Sequence, residues 1–255
     1  MVRVVSLVPS LTETLCALGL SEQEIVGRTP WCIHPAERVA EIRVVGGTKT
    51  PRVHKIVDAQ PQLVVLDEEE NRRETYDALC AAGIRCWAAR VRGVADVPPM
   101  LEELGAEVGR AAAGRELAAA VRDSLREAGE EGAWRRGPRA LPLIWHEPLM
   151  ALAPSRYGGD LLRAAGWQVP DVPGDETGYP RVTPQLLGEL GIEELLLTSE
   201  PHDFSEAEGH EIAQAVAEAG YPAPRPLKVD GEALTWFGAR TAEALVYFRK
   251  LRPPP

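Results

Sequence analysis

The feature that most constrains this chain is an alternation. Short β-rich runs of a few residues are each followed by a helix signal and then by another such run. Residues 4–7 lead into Ser10-Leu-Thr-Glu13, a capping-box pattern that would satisfy the free N–H groups opening a helix, and Gly19 marks its end. Residues 25–26 and 44–45 read as short strands. Thr50 reads as an N-cap with Pro51 at the first helical position, predicting a helix to about residue 59. A buried strand over 63–66, a helix over 72–82 closed by Gly83, and a strand over 84–88 follow. Strands that alternate with helices predict a parallel sheet covered on both faces.

The alternation breaks once. Residues 97–132 carry no strand signal and are dominated by Ala, Leu, Arg and Glu, and Leu117, Val121 and Leu125 recur at the four-residue step of one helix face. A long helix is predicted over 111–128, read as the connection between two lobes, the alternative being an ordinary surface helix within one domain. Beyond it the first plan returns: a strand over 141–145, a helix over 160–165 ending at Gly166, and Thr183-Pro-Gln-Leu-Leu187 echoing Thr50-Pro-Arg-Val-His54. In both halves a strand follows about a dozen residues on, at 63–66 and at 195–198. The predicted fold class is therefore α/β, with two Rossmann-like lobes joined by a single long helix. The expected boundaries are 1–110, 111–132 and 133–255. In such sheets ligands sit at the carboxyl ends of the strands.

Composition narrows the function. Twenty-eight basic against 38 acidic residues give a formal charge of −10 over 255 residues. A surface that acidic repels phosphate backbones and anionic lipid, so neither nucleic-acid binding nor membrane insertion is expected. No apolar run approaches the roughly 20 residues needed to span a bilayer. The first residues form a β-type run stopped by Pro9, which reads as a strand and not as a secretion signal. The expected location is the cytoplasm for the chain as it stands, and the periplasm or cell surface if a leader has been removed. Cys16, Cys32, Cys80 and Cys86 form no CxxC pair and read as reduced thiols.

Tryptophan is over-represented: six, against three Phe and five Tyr. Trp31 follows Arg-Thr-Pro30, Trp145 closes a strand before His146-Glu-Pro148, Tyr179 lies in Gly178-Tyr-Pro180, and Trp236-Phe237 lie between Gly231 and Gly238. Rings on Pro/Gly-stiffened loops suit a binding platform, each contributing on the order of 1–3 kcal/mol when its apolar face is covered. Trp87, inside a strand pattern, reads as core. Among the histidines, Cys32-Ile-His34 offers two metal ligands that His146 or His202 would complete, but short-spaced paired motifs are lacking and no protein-built metal site is expected. The run Asp67-Glu-Glu-Glu70-Asn71 follows a buried strand. It either opens the next helix through the helix dipole or lends a residue among Glu68–Asn71 to a cleft. Gly46-Gly-Thr-Lys-Thr50 lacks phosphate-loop spacing, and G-x-S-x-G, H-E-x-x-H and G-x-G-x-x-G do not occur, which argues against an enzyme.

Taken together, Val4-Val-Ser-Leu-Val-Pro-Ser-Leu-Thr-Glu13, Val45-Gly-Gly-Thr48, Pro61-Gln-Leu-Val-Val65 and Asp230-Gly-Glu-Ala-Leu-Thr-Trp-Phe237 resemble the class III substrate-binding proteins. Within them the likeness is to the cobalamin-binding branch, the helical backbone metal receptors. The resemblance implies a corrinoid or other metal chelate held between two lobes, with no chemistry done on it and no cofactor required. It places aromatic clamps on Trp31, Trp145 and Tyr179 and a contact loop on Trp236-Phe237. Two further clamp positions fall on Thr48 and Asp67, where well-known cobalamin binders carry Trp. Arg28, Arg240, Thr48 and helix-start N–H groups would serve the ligand's amides, with His34, Glu68 and Asn71 as further contacts and His34 able to reach a ligand's metal. Exported members dock on an ABC permease through one glutamate per lobe. The matching positions here are His54 and Gln185, so docking in that manner is not expected. Two other readings stay open: haem or a ferric siderophore with His34 or a tyrosine near the metal, and a metal-dependent or corrinoid-processing enzyme using His34, His146 and the Glu68–Glu70 carboxylates.

Overall fold

Two four-stranded sheets organise the protein, each made largely of parallel strands. The structure, a computed structural model, describes residues 2–130 and 137–252. Residues 131 and 132 of the expected connecting segment, and 133–136 and 253–255 of the expected second lobe, lie outside the described residues.

The first unit comprises Met1–Val91, Ala95–Val121 and Trp236–Arg240. Its elements are β1 (Val4–Ser6), α1 (Pro9–Ala17), β2 (Ile25–Gly27), α2 (Ala36–Val39), α3 (Val53–Asp58), β3 (Leu63–Asp67), α4 (Arg73–Ala81), β4 (Cys86–Ala89), α5 (Val97–Glu107) and the first part of α6 (Ala111–Glu130). The strand order is β2-β1-β3-β4, all parallel. Every residue of β1 and β3 is buried, as a sheet covered on both faces requires. Val5, Leu7, Val45, Ile56, Val64, Leu66 and Leu79 form one core cluster. Trp87 is buried, and its Nε1–H donates to Glu103 Oε1 on α5 (3.0 Å).

The second unit comprises Arg92–Val94, Arg122–Thr235 and Thr241–Pro255. It holds β5 (Ala140–Trp145), β6 (Met150–Ala151), α7 (Tyr157–Ala164), α8 (Pro184–Glu189), β7 (Glu194–Thr198), α9 (Glu206–Glu218), β8 (Arg225–Val229), α10 (Gly231–Thr235) and α11 (Thr241–Leu251). The order is β6-β5-β7-β8, with β6 antiparallel and the rest parallel. The chain is thus an α/β protein of two such units, with α6 running from one into the other. The division falls within α6, between Val121 and Arg122, and the C-terminal stretch Trp236–Arg240 belongs to the first unit.

Several local expectations change. The capping box at Ser10 does not form: α1 begins at Pro9, and its N-cap, Val8, makes no side-chain cap. Pro9 supplies helical φ and has no N–H to satisfy, so the helix opens one residue early. Thr12 Oγ1 then lies 2.8 Å from Ser6 Oγ at the end of β1, and Glu13 turns to another partner described below. Thr50 is not a cap either. Gly46 and Pro51 pair as an antiparallel bridge and Arg52 N–H donates to Val45 O (2.8 Å), which holds this stretch extended until α3 starts at Val53. The expected strand at 44–45 is reduced to one bridge, Arg28 to Val44. The echo at Thr183 does form, with Leu186 N–H donating to Thr183 Oγ1 (3.2 Å).

Candidate functional site

Each unit presents its own group of side chains at the carboxyl ends of its strands. In the first unit, the loop after β2 carries Trp31, 65% exposed, and His34. A pocket of about 550 Å³ adjoins this loop, lined by Pro30, Val44, Gly46, Gly47, Thr50, Arg52 and Lys55. The His34 ring meets Trp236 edge-on (centroids 5.6 Å apart, planes at 61°), and the Arg240 guanidinium lies 4.9 Å from the centre of that indole. Arg240 in turn grips Glu13 of α1 with two hydrogen bonds of 2.9 Å. Ala239 N–H donates to Thr14 Oγ1 on the same helix (3.1 Å). The stretch Trp236–Arg240 is therefore tied to α1, which explains why it packs with the first unit.

The expected acidic run behaves as a brace. Asp67, at the end of β3, is 4% exposed, and its Oδ1 accepts from Glu69 N–H and Glu70 N–H (2.9 Å each). Burial pushes its carboxyl up to about 6 despite these two bonds. Asn71 is buried too; its Oδ1 accepts from Asp67 N–H (2.9 Å) and its amide nitrogen donates to Thr48 O (2.9 Å). Thr48, Asp67 and Asn71 are thus brought together through hydrogen bonds to one another's loops. Glu68 points elsewhere, pairing with Arg90 at the surface. Arg28, expected as a ligand donor, gives Nε–H to Val39 O (2.7 Å) and an Nη to Thr29 O (3.1 Å).

In the second unit, Trp145 closes β5 with 44% of its surface exposed, its Nε1–H held by Glu147 O (3.0 Å). Beside it are two imidazoles. His202 meets Trp145 edge-on at 6.3 Å, and His146 stacks on His202 (5.6 Å, planes at 14°). Both rings stand on Phe204, which is fully buried. Glu208, in the first turn of α9, faces both: its Oε1 is 2.9 Å from His202 Nε2 and 3.6 Å from His146 Nδ1. The other oxygen, Oε2, accepts from Ser205 N–H (2.6 Å) and Ser205 Oγ–H (2.7 Å), completing a capping box. These Ser205 bonds, with His202, hold the carboxyl down at about 2. Tyr179 lies under the Arg156 guanidinium at 5.3 Å from its ring centre.

The pairing of Cys32 with His34 as ligands fails. Cys32 is fully buried, its sulfur is 3.2 Å from Thr29 Oγ1, and burial raises its thiol pKa, so it is neither a thiolate nor accessible. Phe204 and Glu208 were not singled out in the sequence. Glu208 carried a legible signal, the Ser205-x-x-Glu208 cap, but the run around it resembles an ordinary solvated face. Trp236 and Phe237, expected as a contact loop, are each only 7% exposed. Gln185 is engaged: its amide nitrogen donates to Glu189 Oε1 (2.8 Å) and to Tyr221 Oη (2.7 Å). Among the described residues no helix is long and apolar enough to cross a membrane.

Two α/β units on largely parallel sheets, with α6 running from one into the other, match the fold class of the periplasmic binding proteins. A family model for the periplasmic binding proteins matches residues 4–180, and the chain belongs to that family. Solved structures agree on the fold. The periplasmic haem-binding protein RhuT from Roseiflexus sp. RS-1 is similar at 22% identity and TM-score 0.80, over 97% of this chain and 98% of that one. The vitamin B12 binding protein BtuF of Vibrio cholerae is similar at 17% and 0.79, over 97% and 95%. A periplasmic haem-binding protein from Pseudomonas aeruginosa is similar at 20% and 0.80, over 98% and 91%. No curated protein matches.

Proposed function

We propose that this chain is a non-enzymatic receptor for a flat metal chelate, a corrinoid foremost, with cobalamin as its leading candidate. The observation that supports this is the exposure of two indoles, Trp31 at 65% and Trp145 at 44%, on strand-end loops, while the other tryptophans among the described residues are nearly covered. An uncovered indole at the end of a sheet has apolar surface to give to a ligand. A macrocycle with two broad faces can cover such surface, and the similarity to BtuF fits that ligand. The covered Trp236 has a different part in this reading. With Arg240 and Glu13 it anchors the His34 loop rather than stacking on the ligand itself.

Haem is the second reading, favoured by His34, whose imidazole rests on Trp236 and can serve iron, and by the names of RhuT and the Pseudomonas relative. Delivery to a permease through paired glutamates is not part of the proposal, since Gln185 and His54 occupy those positions. The test is titration of the purified protein with cyanocobalamin and, separately, with hemin, followed by tryptophan quenching and by the visible spectrum. Saturable binding of cyanocobalamin at micromolar ligand or below supports the first reading. Binding of hemin alone, with a shifted Soret band lost in His34→Ala, replaces it with the second. Binding of neither removes both.

A further inference from the structure

We infer that His146, His202 and Glu208 form a binding site for a divalent transition-metal ion, Zn²⁺ foremost, built entirely within the second unit. The inference is independent of the chelate reading, because no part of it requires a macrocycle. Its basis is convergence: one nitrogen from each imidazole and one carboxylate oxygen all lie within 4.8 Å of one another. In a four-coordinate zinc site with bonds of roughly 2.0–2.1 Å, neighbouring ligand atoms stand about 3.3 Å apart. The two separations to Glu208 Oε1, 2.9 Å and 3.6 Å, straddle that spacing.

Donor chemistry points the same way. Two imidazoles and a carboxylate suit Zn²⁺ and its neighbours in the first transition row far better than Mg²⁺ or Ca²⁺, which take oxygen ligands. Three protein ligands leave a coordination position for water or for a donor atom of a bound solute.

The surrounding residues restrict how these three groups can move. Ser205 takes Glu208 Oε2 through both its N–H and its hydroxyl, so Oε1 is the oxygen left to face the imidazoles. That arrangement orients a ligating carboxylate in the way outer hydrogen bonds orient ligands at metal centres. Phe204 supports both rings from beneath, and Trp145 flanks His202. Trp145 has its own N–H occupied by Glu147 O, so it does not compete for the carboxylate. An ion pair between Glu208 and one protonated imidazole would account for one histidine. It does not account for a second imidazole turned toward the same oxygen.

The experiment is titration of the full chain with Zn²⁺ against a chromophoric zinc indicator, with Co²⁺ as a spectroscopic probe. One equivalent of Zn²⁺ is expected to bind, and Co²⁺ is expected to give the intense visible bands of a low-coordinate N/O site. His146→Ala and His202→Ala should each weaken Zn²⁺ by at least tenfold. Glu208→Gln, which preserves the capping box, should do the same without loss of folding. His210→Ala, on α9 but bonded to Glu206 O, should leave binding unchanged. If the wild-type chain binds no more Zn²⁺ than the His146→Ala/His202→Ala variant, the cluster is an ion-pair brace and the inference is wrong. A loss of Zn²⁺ in His34→Ala with none in His202→Ala would overturn it equally.

Discussion

Arg240 and Glu13 stand 227 positions apart and meet as a two-pronged ion pair, Nε–H to Oε2 and Nη2–H to Oε1, both at 2.9 Å. The same guanidinium covers the face of Trp236. One side chain therefore ties the last part of the chain to the first helix. Arg240→Lys should lower stability by about 1–2 kcal/mol, because an ammonium reproduces neither the fork nor the flat stack. Glu13→Gln should cost a similar amount, and the double variant should cost less than the two together. Urea unfolding of the four proteins decides it, and strict additivity would show that the pair carries no shared energy.

Trp145→Ala should separate binding from folding. With nearly half of its surface exposed at the end of β5, Trp145→Ala should change the unfolding midpoint little. Affinity for the chelate that the titrations identify should fall more than tenfold, about 1.4 kcal/mol. Calorimetry on both proteins measures this; equal affinities would remove the ring from the binding surface.

Asp67 makes stability depend on pH in a stated direction. Its carboxyl titrates near 6 in the folded protein against 3.8 ordinarily, raised by burial. The folded state therefore favours the protonated form. The stabilising contribution is complete below pH 3.8 and is lost as the pH rises through 6. Asp67→Asn keeps an acceptor for the Glu69 and Glu70 N–H groups and has no charge to bury. At pH 7 it should be more stable than wild type by up to about 3 kcal/mol, with the gap closing by pH 4. Denaturation midpoints at three pH values test this, and a variant that tracks the wild type throughout would contradict it.

Gly238 combines two constraints. Its φ is +111°, and a Cβ there would fall 2.2 Å from Thr14 Oγ1. Gly238→Ala should destabilise by roughly 2–4 kcal/mol through backbone strain and the displaced Thr14 hydroxyl. Adding Thr14→Ala should recover only part of the loss, since the strain at φ remains. Complete recovery in thermal unfolding would show that the collision alone matters.

The fold was legible because local signals and burial agreed. Residues 63–66 of β3 are a continuous apolar run, as a strand covered on both faces requires, and α6 shows its four-residue step from Leu117 to Leu125. Where a second signal competed, the local reading slipped. Ser10 carries a capping-box pattern, but Pro9 opens the helix without it. β8 contains Pro226 and two basic residues, which disguise a strand at the sheet's edge, where proline is tolerated.

The sequence by itself determined the alternation of strands and helices, the two-unit plan and the loop positions of Trp31 and Trp145, since these depend on periodicity and turn chemistry within a dozen residues. Only the tertiary structure decided which polar groups meet. It directed Glu13 to Arg240, folded Asp67 and Asn71 into a brace with Thr48, and set Glu208 between two histidines drawn from different strand ends. Such meetings depend on sheet order and helix placement, so residues far apart in the chain come together in ways no local pattern encodes.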